Sequence, residues 1–160
     1  MTVPVTRIPL ARNDDERGWF MELMRSSLLP KPVRQSNVVF SRKGVVRGLH
    51  YHERGQDDLF VCLQGTVRVV ALDRDSGETF TEDIGDDNRV ALYVPGTLAH
   101  GYEALTDCLF LYHVTEEYDP EAPDEHGLCW ADERVKHLWS TEQPILSERD
   151  QAACSEPVSG

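Results

Sequence analysis

Long apolar runs are absent from this sequence. No stretch of its 160 residues approaches the ~20 apolar residues that are needed to cross a bilayer. The first residues, MTVPVTRIPLARNDDERG, also lack the apolar segment that is typical of a secretory signal. These two absences predict a cytoplasmic protein that has no membrane partner.

Positive charge is scarce. The chain has 16 Lys and Arg residues against 28 Asp and Glu residues, which gives a net charge of −12. Nucleic acids are bound mainly through cationic contacts to phosphate, so we expect no nucleic-acid partner. A local basic pocket for one small anion is still compatible with this composition.

Closely spaced cysteine pairs are missing as well. The four cysteines, Cys62, Cys108, Cys129 and Cys154, form no CxxC motif and are far apart in the sequence. This pattern predicts reduced, mostly buried thiols, as is usual in the cytoplasm.

Short strand-like runs separated by turns dominate what is present. They are rich in β-branched and aromatic residues and recur at spacings typical of sandwiches and barrels. The clearest runs are 36–41, 59–63, 66–72, 90–94 and 108–114. Helical signal is weak and is confined to residues 20–29, before Pro30, and residues 132–138. The sequence therefore predicts an all-β sandwich with short helical additions and a polar C-terminal tail over residues 151–160.

Three histidines form a possible ligand set. His50 and His52 share one face if the chain is extended there, and His100 follows a later strand run after Pro95. The spacing from His50 through Asp58 is similar to the first cupin motif, in which a glutamate usually occupies the place of Asp58. Imidazoles with one carboxylate suit a divalent transition metal and leave positions open for a substrate.

A second pattern covers nearly the whole chain and resembles the dTDP-4-dehydrorhamnose 3,5-epimerase family. It consists of short motifs in a fixed order over about residues 14–150. The motifs are DERGWFME from Asp15, QSNVVFS from Gln35, KGVVRGLHY from Lys43, VP from Val94, AHGY from Ala99, LY from Leu111, YDP from Tyr118, GLCWAD from Gly127 and LSERD from Leu146.

The resemblance implies a cupin-like jelly-roll β-sandwich in one domain over residues 1–150, usually assembled as a homodimer with strand exchange. The reaction it implies inverts stereocentres beside the 4-keto group of a nucleotide-linked 6-deoxyhexulose, without a cofactor. The base matches His50, the acid that orients it matches Asp150, and the proton donor on the opposite face matches Tyr112.

The resemblance also implies the contacts to a nucleotide-diphosphate sugar, some of them made across the dimer. The matching positions are Arg17, Phe20, Glu22, Gln35, Asn37, Arg47 and His100. These residue types fit the chemistry, because a His–Asp pair supplies a base with a fixed tautomer and arginines bind diphosphate through charge-assisted hydrogen bonds.

Two departures from the family pattern leave other functions open. The family usually has a lysine where Asp58 stands, and a glutamine where His52 stands. Together these changes rebuild a cupin-like ligand set of His50, His52, Asp58 and His100. Besides an epimerase acting at C3, C5 or both, the sequence therefore allows a metal-dependent cupin enzyme with one divalent transition metal, and a non-catalytic protein that binds sugar nucleotides.

Overall fold

The fold is a sandwich of two antiparallel sheets. The structure is a computed structural model and describes residues 3–155. Its strands are β1 (Thr6–Pro9), β2 (Arg12–Asp15), β3 (Gly18–Met21), β4 (Gln35–Ser41), β5 (Val46–Tyr51), β6 (Asp58–Gln64), β7 (Thr66–Leu72), β8 (Thr79–Gly85), β9 (Val90–Val94), β10 (Ala99–Ala104), β11 (Cys108–Val114) and β12 (His126–Gly127). Two 3₁₀ turns (Ser26–Leu28 and Lys136–Leu138) and one short helix, α1 (Glu148–Ala152), complete it.

Each main sheet has five strands. The first runs in the order β1-β9-β6-β11-β4 and the second in the order β12-β5-β10-β7-β8, while β2 and β3 form a separate hairpin. The five strand-like runs in the sequence correspond to β4, β6, β7, β9 and β11, and all five are confirmed. The predicted all-β class with short helical additions is therefore confirmed.

The core lies between the facing sides of the two sheets. Along β7, Val67, Val69 and Ala71 point into this layer, whereas Val70 and Leu72 point to the other face of the sheet. The C-terminal segment covers that other face with Trp139 and neighbouring apolar residues, so this face of the sheet is buried as well. The outer face of the first sheet is partly covered in the same way by the N-terminal segment.

The helix predicted over residues 20–29 is wrong. Phe20 pairs with Asn13 in the β2–β3 hairpin, and only Ser26–Leu28 forms a single 3₁₀ turn. Leu23, Met24 and Leu29 pack instead against the outer face of the first sheet. Tertiary packing of these apolar side chains outweighs the weak local helical preference.

The expectation of four reduced thiols is also wrong. Cys129 and Cys154 form a disulfide across 25 residues, whereas Cys62 and Cys108 are free and buried. A separation of this length gives no local sequence signal, because the sheet and α1 bring the two cysteines together. The predicted start of the tail at Gln151 is too early, since α1 runs to Ala152. Residues 156–160 lie outside the described residues.

Loss of the disulfide is expected to destabilise the protein without unfolding it. Closing a loop of 25 residues lowers the entropy of the unfolded chain, which stabilises the folded state by about 3.5 kcal/mol. Cys154→Ser should lower the free energy of unfolding by an amount of this order, measured by denaturant titration. Dithiothreitol should lower the stability of the original protein and leave that of Cys154→Ser unchanged. Equal stability of the two proteins before reduction would contradict this account.

Candidate active site

A cavity of about 690 Å³ opens between the two sheets at one end of the sandwich. Its walls come from β4, β5, β6, β10 and β11, from the loop after β11, and from α1. It gathers nine of the residues that the sequence singled out: Gln35, Asn37, Arg47, His50, His52, Asp58, His100, Tyr112 and Asp150.

His50 and Asp150 are paired inside this cavity. His50 Nε2 lies 2.8 Å from Asp150 Oδ1, and Asp150 is buried. Burial alone would raise the pKa of Asp150, but the hydrogen bond and the charge of His50 outweigh it and hold that pKa below its usual value. An ionised carboxylate can only accept, so Nε2 carries the proton and Nδ1 of a neutral His50 presents its lone pair.

Local sequence places Asp150 at this point. Ser147 caps α1, and its Oγ accepts a hydrogen bond from the Asp150 backbone N–H at 3.1 Å. The Gly48 N–H donates to Asp150 Oδ2 at 3.2 Å, which ties the helix to β5 two residues before His50. The carboxylate is therefore held by contacts from both elements.

Tyr112 enters the cavity from the first sheet, whereas His50 belongs to the second. Burial is the main reason that the pKa of the phenol is raised, and the negative charges of Asp58 and Glu125 raise it further. Tyr112 is therefore a protonated hydroxyl at neutral pH, and it can donate a proton from a different wall than the one that carries His50.

His52, Asp58 and His100 form a second, buried cluster in the same cavity. His100 Nε2 lies 3.3 Å from Asp58 Oδ2, and His52 Nε2 lies 3.8 Å from Asp58 Oδ1. Their ligand-type atoms all lie within 4.8 Å of one another, and His50 is outside this group. The structure therefore brings together three of the four predicted ligands and pairs the fourth with Asp150.

The charges in this cluster are coupled. Burial opposes ionisation of Asp58, but its contact with His100 outweighs burial and lowers the carboxyl pKa. Burial likewise opposes protonation of His100, and Asp58 outweighs it and raises the imidazole pKa. For His52 burial dominates and lowers the pKa, so this ring is neutral at pH 7.

The loop between His52 and Asp58 is held in place by its own polar contacts. Asp57 accepts hydrogen bonds from Tyr93 Oη at 2.6 Å and from the Gly96 N–H at 2.9 Å. Gly96 is needed here because a Cβ at this position would lie 1.7 Å from the Gln56 carbonyl oxygen. The PG turn after β9 thus packs directly against the loop that carries the cluster.

Three predicted substrate contacts are not part of this cavity. The β2–β3 hairpin and the residue after it contain Arg17, Phe20 and Glu22, and none of the three lines the cavity. Arg17 Nη2 lies 2.6 Å from Asp15 Oδ2, and Glu22 pairs with Arg25. Phe20 has 64% of its surface exposed.

Two further polar residues of the cavity, Glu125 and Gln56, are not predicted from the sequence. Glu125 Oε1 lies 3.6 Å from His50 Nδ1, and Gln56 Nε2 donates to Asp58 Oδ1 at 3.0 Å. Glu125 lies in an irregular acidic loop, so no strand or helix pattern marks it. Gln56 stands two residues before Asp58, and this proximity in the sequence is the signal that could have indicated it.

Several known proteins are similar to this chain in sequence and in structure. The family model described as dTDP-4-dehydrorhamnose 3,5-epimerase matches residues 4–156. The enzyme of that name from Escherichia coli K12 is 38% identical over 152 residues, covering 86% of this chain and 81% of the relative. Among the matching structures is the rmlC epimerase of Mycobacterium tuberculosis (TM-score 0.85, 32% identity), covering 96% of this chain and 84% of that one.

Another matching structure contains a sugar nucleotide. It is the dTDP-6-deoxy-D-glucose-3,5-epimerase of Legionella pneumophila in complex with dTDP-4-keto-L-rhamnose. Its TM-score is 0.83 at 31% identity, and the match covers 93% of this chain and 86% of that one. These matches extend over both sheets and the candidate site.

Proposed function

The chain belongs to the dTDP-4-dehydrorhamnose 3,5-epimerase family, and on that premise we propose that it inverts C3, C5 or both in a dTDP-4-keto-6-deoxyhexose. The pairing of His50 with Asp150, in one cavity with Tyr112, is the observation that carries this proposal. The resemblance implied the same residues, and the folded chain supplies the geometry that their chemistry needs.

The first step is removal of a proton beside the ketone. His50 Nδ1 takes the proton, the C–H electron pair moves into the C–C bond, and negative charge develops on the 4-keto oxygen. Asp150 accepts from Nε2 and stabilises the imidazolium that forms. This pairing fixes the tautomer of the base before a substrate arrives.

The second step returns a proton to the opposite face of the same carbon. Tyr112 supplies it from the other sheet, because burial keeps its hydroxyl protonated. The enolate electrons form the new C–H bond and the ketone is restored. Net inversion follows because the two protons move on opposite faces, and the active groups are reset by exchange with solvent.

Substrate binding draws on the polar walls of the cavity. Gln35 Nε2 donates to Asn37 Oδ1 at 3.0 Å, so the two amides are oriented together on β4. Arg47 provides a cation for the diphosphate, and its Nε donates to Ser41 Oγ at 3.0 Å.

The cytoplasmic location stays a prediction, and the cysteines no longer support it. The helices among residues 3–155 all fall short of the length and hydrophobicity of a membrane-spanning helix.

We further propose a homodimer that uses the outer face of the first sheet. Val38 and Phe40 on β4 are 61% and 59% exposed, which is unusual for neighbouring apolar residues on one strand face. The exposed hairpin residue Phe20 adds to the apolar surface. A second copy would cover these side chains and bring Arg17, Phe20 and Glu22 towards a partner's cavity.

A charged residue on this face is expected to separate the protomers. Phe40→Asp should shift the mass in sedimentation equilibrium from twice the 18.1 kDa chain mass to one chain. It should also raise KM, because part of the substrate contacts would be lost. Gln143→Asp adds the same charge on an exposed loop and should remain dimeric. A monomeric parent protein would contradict the proposed assembly.

Turnover of a defined substrate tests the proposed function. The protein is incubated with dTDP-4-keto-6-deoxyglucose, and the sugar stereochemistry is read by NMR, with dTDP-glucose as the control that has no ketone. We expect inversion at C3, C5 or both with the keto-sugar and no change with dTDP-glucose. Tight binding of the keto-sugar without inversion would instead favour a non-catalytic binding protein.

A further inference from the structure

We propose that His52, Asp58 and His100 form a binding site for one divalent transition-metal ion, separate from the His50–Asp150 pair. The first observation is the identity of the donor atoms. His52 Nδ1 lies 2.6 Å from the Asp124 carbonyl oxygen and His100 Nδ1 lies 2.9 Å from the Leu98 carbonyl oxygen. A carbonyl can only accept, so both Nδ1 atoms carry protons, and either ring presents a lone pair at Nε2 when it is neutral.

Both Nε2 atoms are directed at the Asp58 carboxylate. Three ligand-type atoms therefore converge in a buried space, and Gln56 Nε2 is a neighbouring donor there, 3.0 Å from Asp58 Oδ1 and 3.3 Å from His52 Nε2. A proton on His100 would satisfy only its own contact with Asp58. A divalent metal ion would bind all three atoms together.

The spacing of the acceptors fits a metal. Ligand atoms about 2.1 Å from a tetrahedral ion are separated from one another by about 3.4 Å. His100 Nε2 lies 3.3 Å from Asp58 Oδ2 and His52 Nε2 lies 3.8 Å from Asp58 Oδ1, and one ligand atom from each of the three residues lies within 4.8 Å of the others. The ring N–H bonds to backbone carbonyls are also the outer contacts that metal-bound histidines normally make.

Two imidazoles with one carboxylate suit Zn²⁺, Co²⁺, Mn²⁺, Fe²⁺ or Ni²⁺ and leave coordination positions open. The electrostatics of the cavity also favour a cation. Its lining has seven acidic residues, Asp58, Asp124 and Glu125 among them, against three arginines.

A metal ion at this site would also stabilise the enolate oxygen that forms during epimerisation, and this part of the inference rests on the proposed function. An enolate oxygen needs an electrophile beside it, and no lysine is among the residues that line the cavity. A metal held by His52, Asp58 and His100 would polarise the 4-keto oxygen as a Lewis acid. His50 is not one of the ligands and is left to act as the base.

Metal titration tests the site without any substrate. Protein dialysed against EDTA and then freed of chelator is titrated with Co²⁺, followed by visible absorption, and with Zn²⁺, followed by calorimetry. We expect one ion per chain. His52→Gln and Asp58→Asn should each weaken binding at least about 100-fold, whereas His137→Gln, an exposed histidine, should bind like the original protein. Circular dichroism of each variant confirms that it is folded.

The outcomes separate this inference from the proposed function. Absence of binding, or equal binding by the folded His52→Gln and Asp58→Asn variants, overturns the metal site, and the epimerase proposal then depends on turnover alone. Binding with the expected variant losses supports the site even if no keto-sugar is inverted. A metal-loaded protein whose inversion rate is unchanged after chelation would overturn the Lewis-acid role.

Discussion

Replacing His50 with glutamine is expected to lower the rate of epimerisation by about 10³-fold. Glutamine keeps a polar group of similar length but cannot accept the substrate proton, and a positioned base contributes typically 10²–10⁴-fold. The loss should fall mainly on kcat, because the polar walls of the cavity that bind the sugar nucleotide are unchanged. The measurement is initial rate against substrate concentration, with inversion followed by NMR.

The matched control for this substitution is His137→Gln, since His137 is exposed and lies outside the cavity. It should keep the activity of the original protein. If His50→Gln retained more than about a tenth of the original kcat, another group would have to act as the base. Glu125 would then be the first candidate, because its carboxylate lies 3.6 Å from His50 Nδ1.

Tyr112→Phe is expected to uncouple exchange from inversion. Removal of the hydroxyl leaves the base intact, so the proton beside the ketone is still abstracted and can be returned by His50 to the same face. Inversion should fall by about 10²-fold or more, while exchange of that hydrogen with solvent persists. The measurement compares, in D₂O, the rate of deuterium uptake with the rate of inversion.

Tyr51→Phe is the control for the phenol, because Tyr51 stacks on His126 and does not line the cavity. The rate of deuterium uptake and the rate of inversion should both stay unchanged in this variant. Loss of exchange and inversion to the same extent in Tyr112→Phe would contradict a donor role and would assign Tyr112 to the abstraction step or to substrate positioning.

The strands were predictable because their side chains alternate or run apolar in short blocks between turns. In β7 the alternation of Val67 and Val69 with Arg68 matches the burial of one face. The helix predicted over residues 20–29 is wrong because the apolar residues there also fit a helical face. Only the outer surface of the first sheet, which is a product of the whole fold, determines where Leu23 and Met24 pack.

The site was predictable only where ordered motifs marked it. The family resemblance predicts His50, Tyr112 and Asp150, and Asp150 is 100 residues away from His50 in the sequence. The acidic loop that holds Glu125 has no periodic pattern, so its approach to His50 could not be inferred. The separation of His50 from the His52–Asp58–His100 cluster also depends on three-dimensional placement, because His50 and His52 are only two residues apart.

Solvent deuterium uptake by the unmodified protein tests the central claim most directly. The protein is incubated with dTDP-4-keto-6-deoxyglucose in D₂O, and the sugar nucleotide is analysed by mass spectrometry. Proton transfer at the carbons beside the ketone predicts a gain of one or two mass units, located at C3, C5 or both, and absent in His50→Gln. A fully active preparation of folded protein that leaves the mass unchanged would contradict the account.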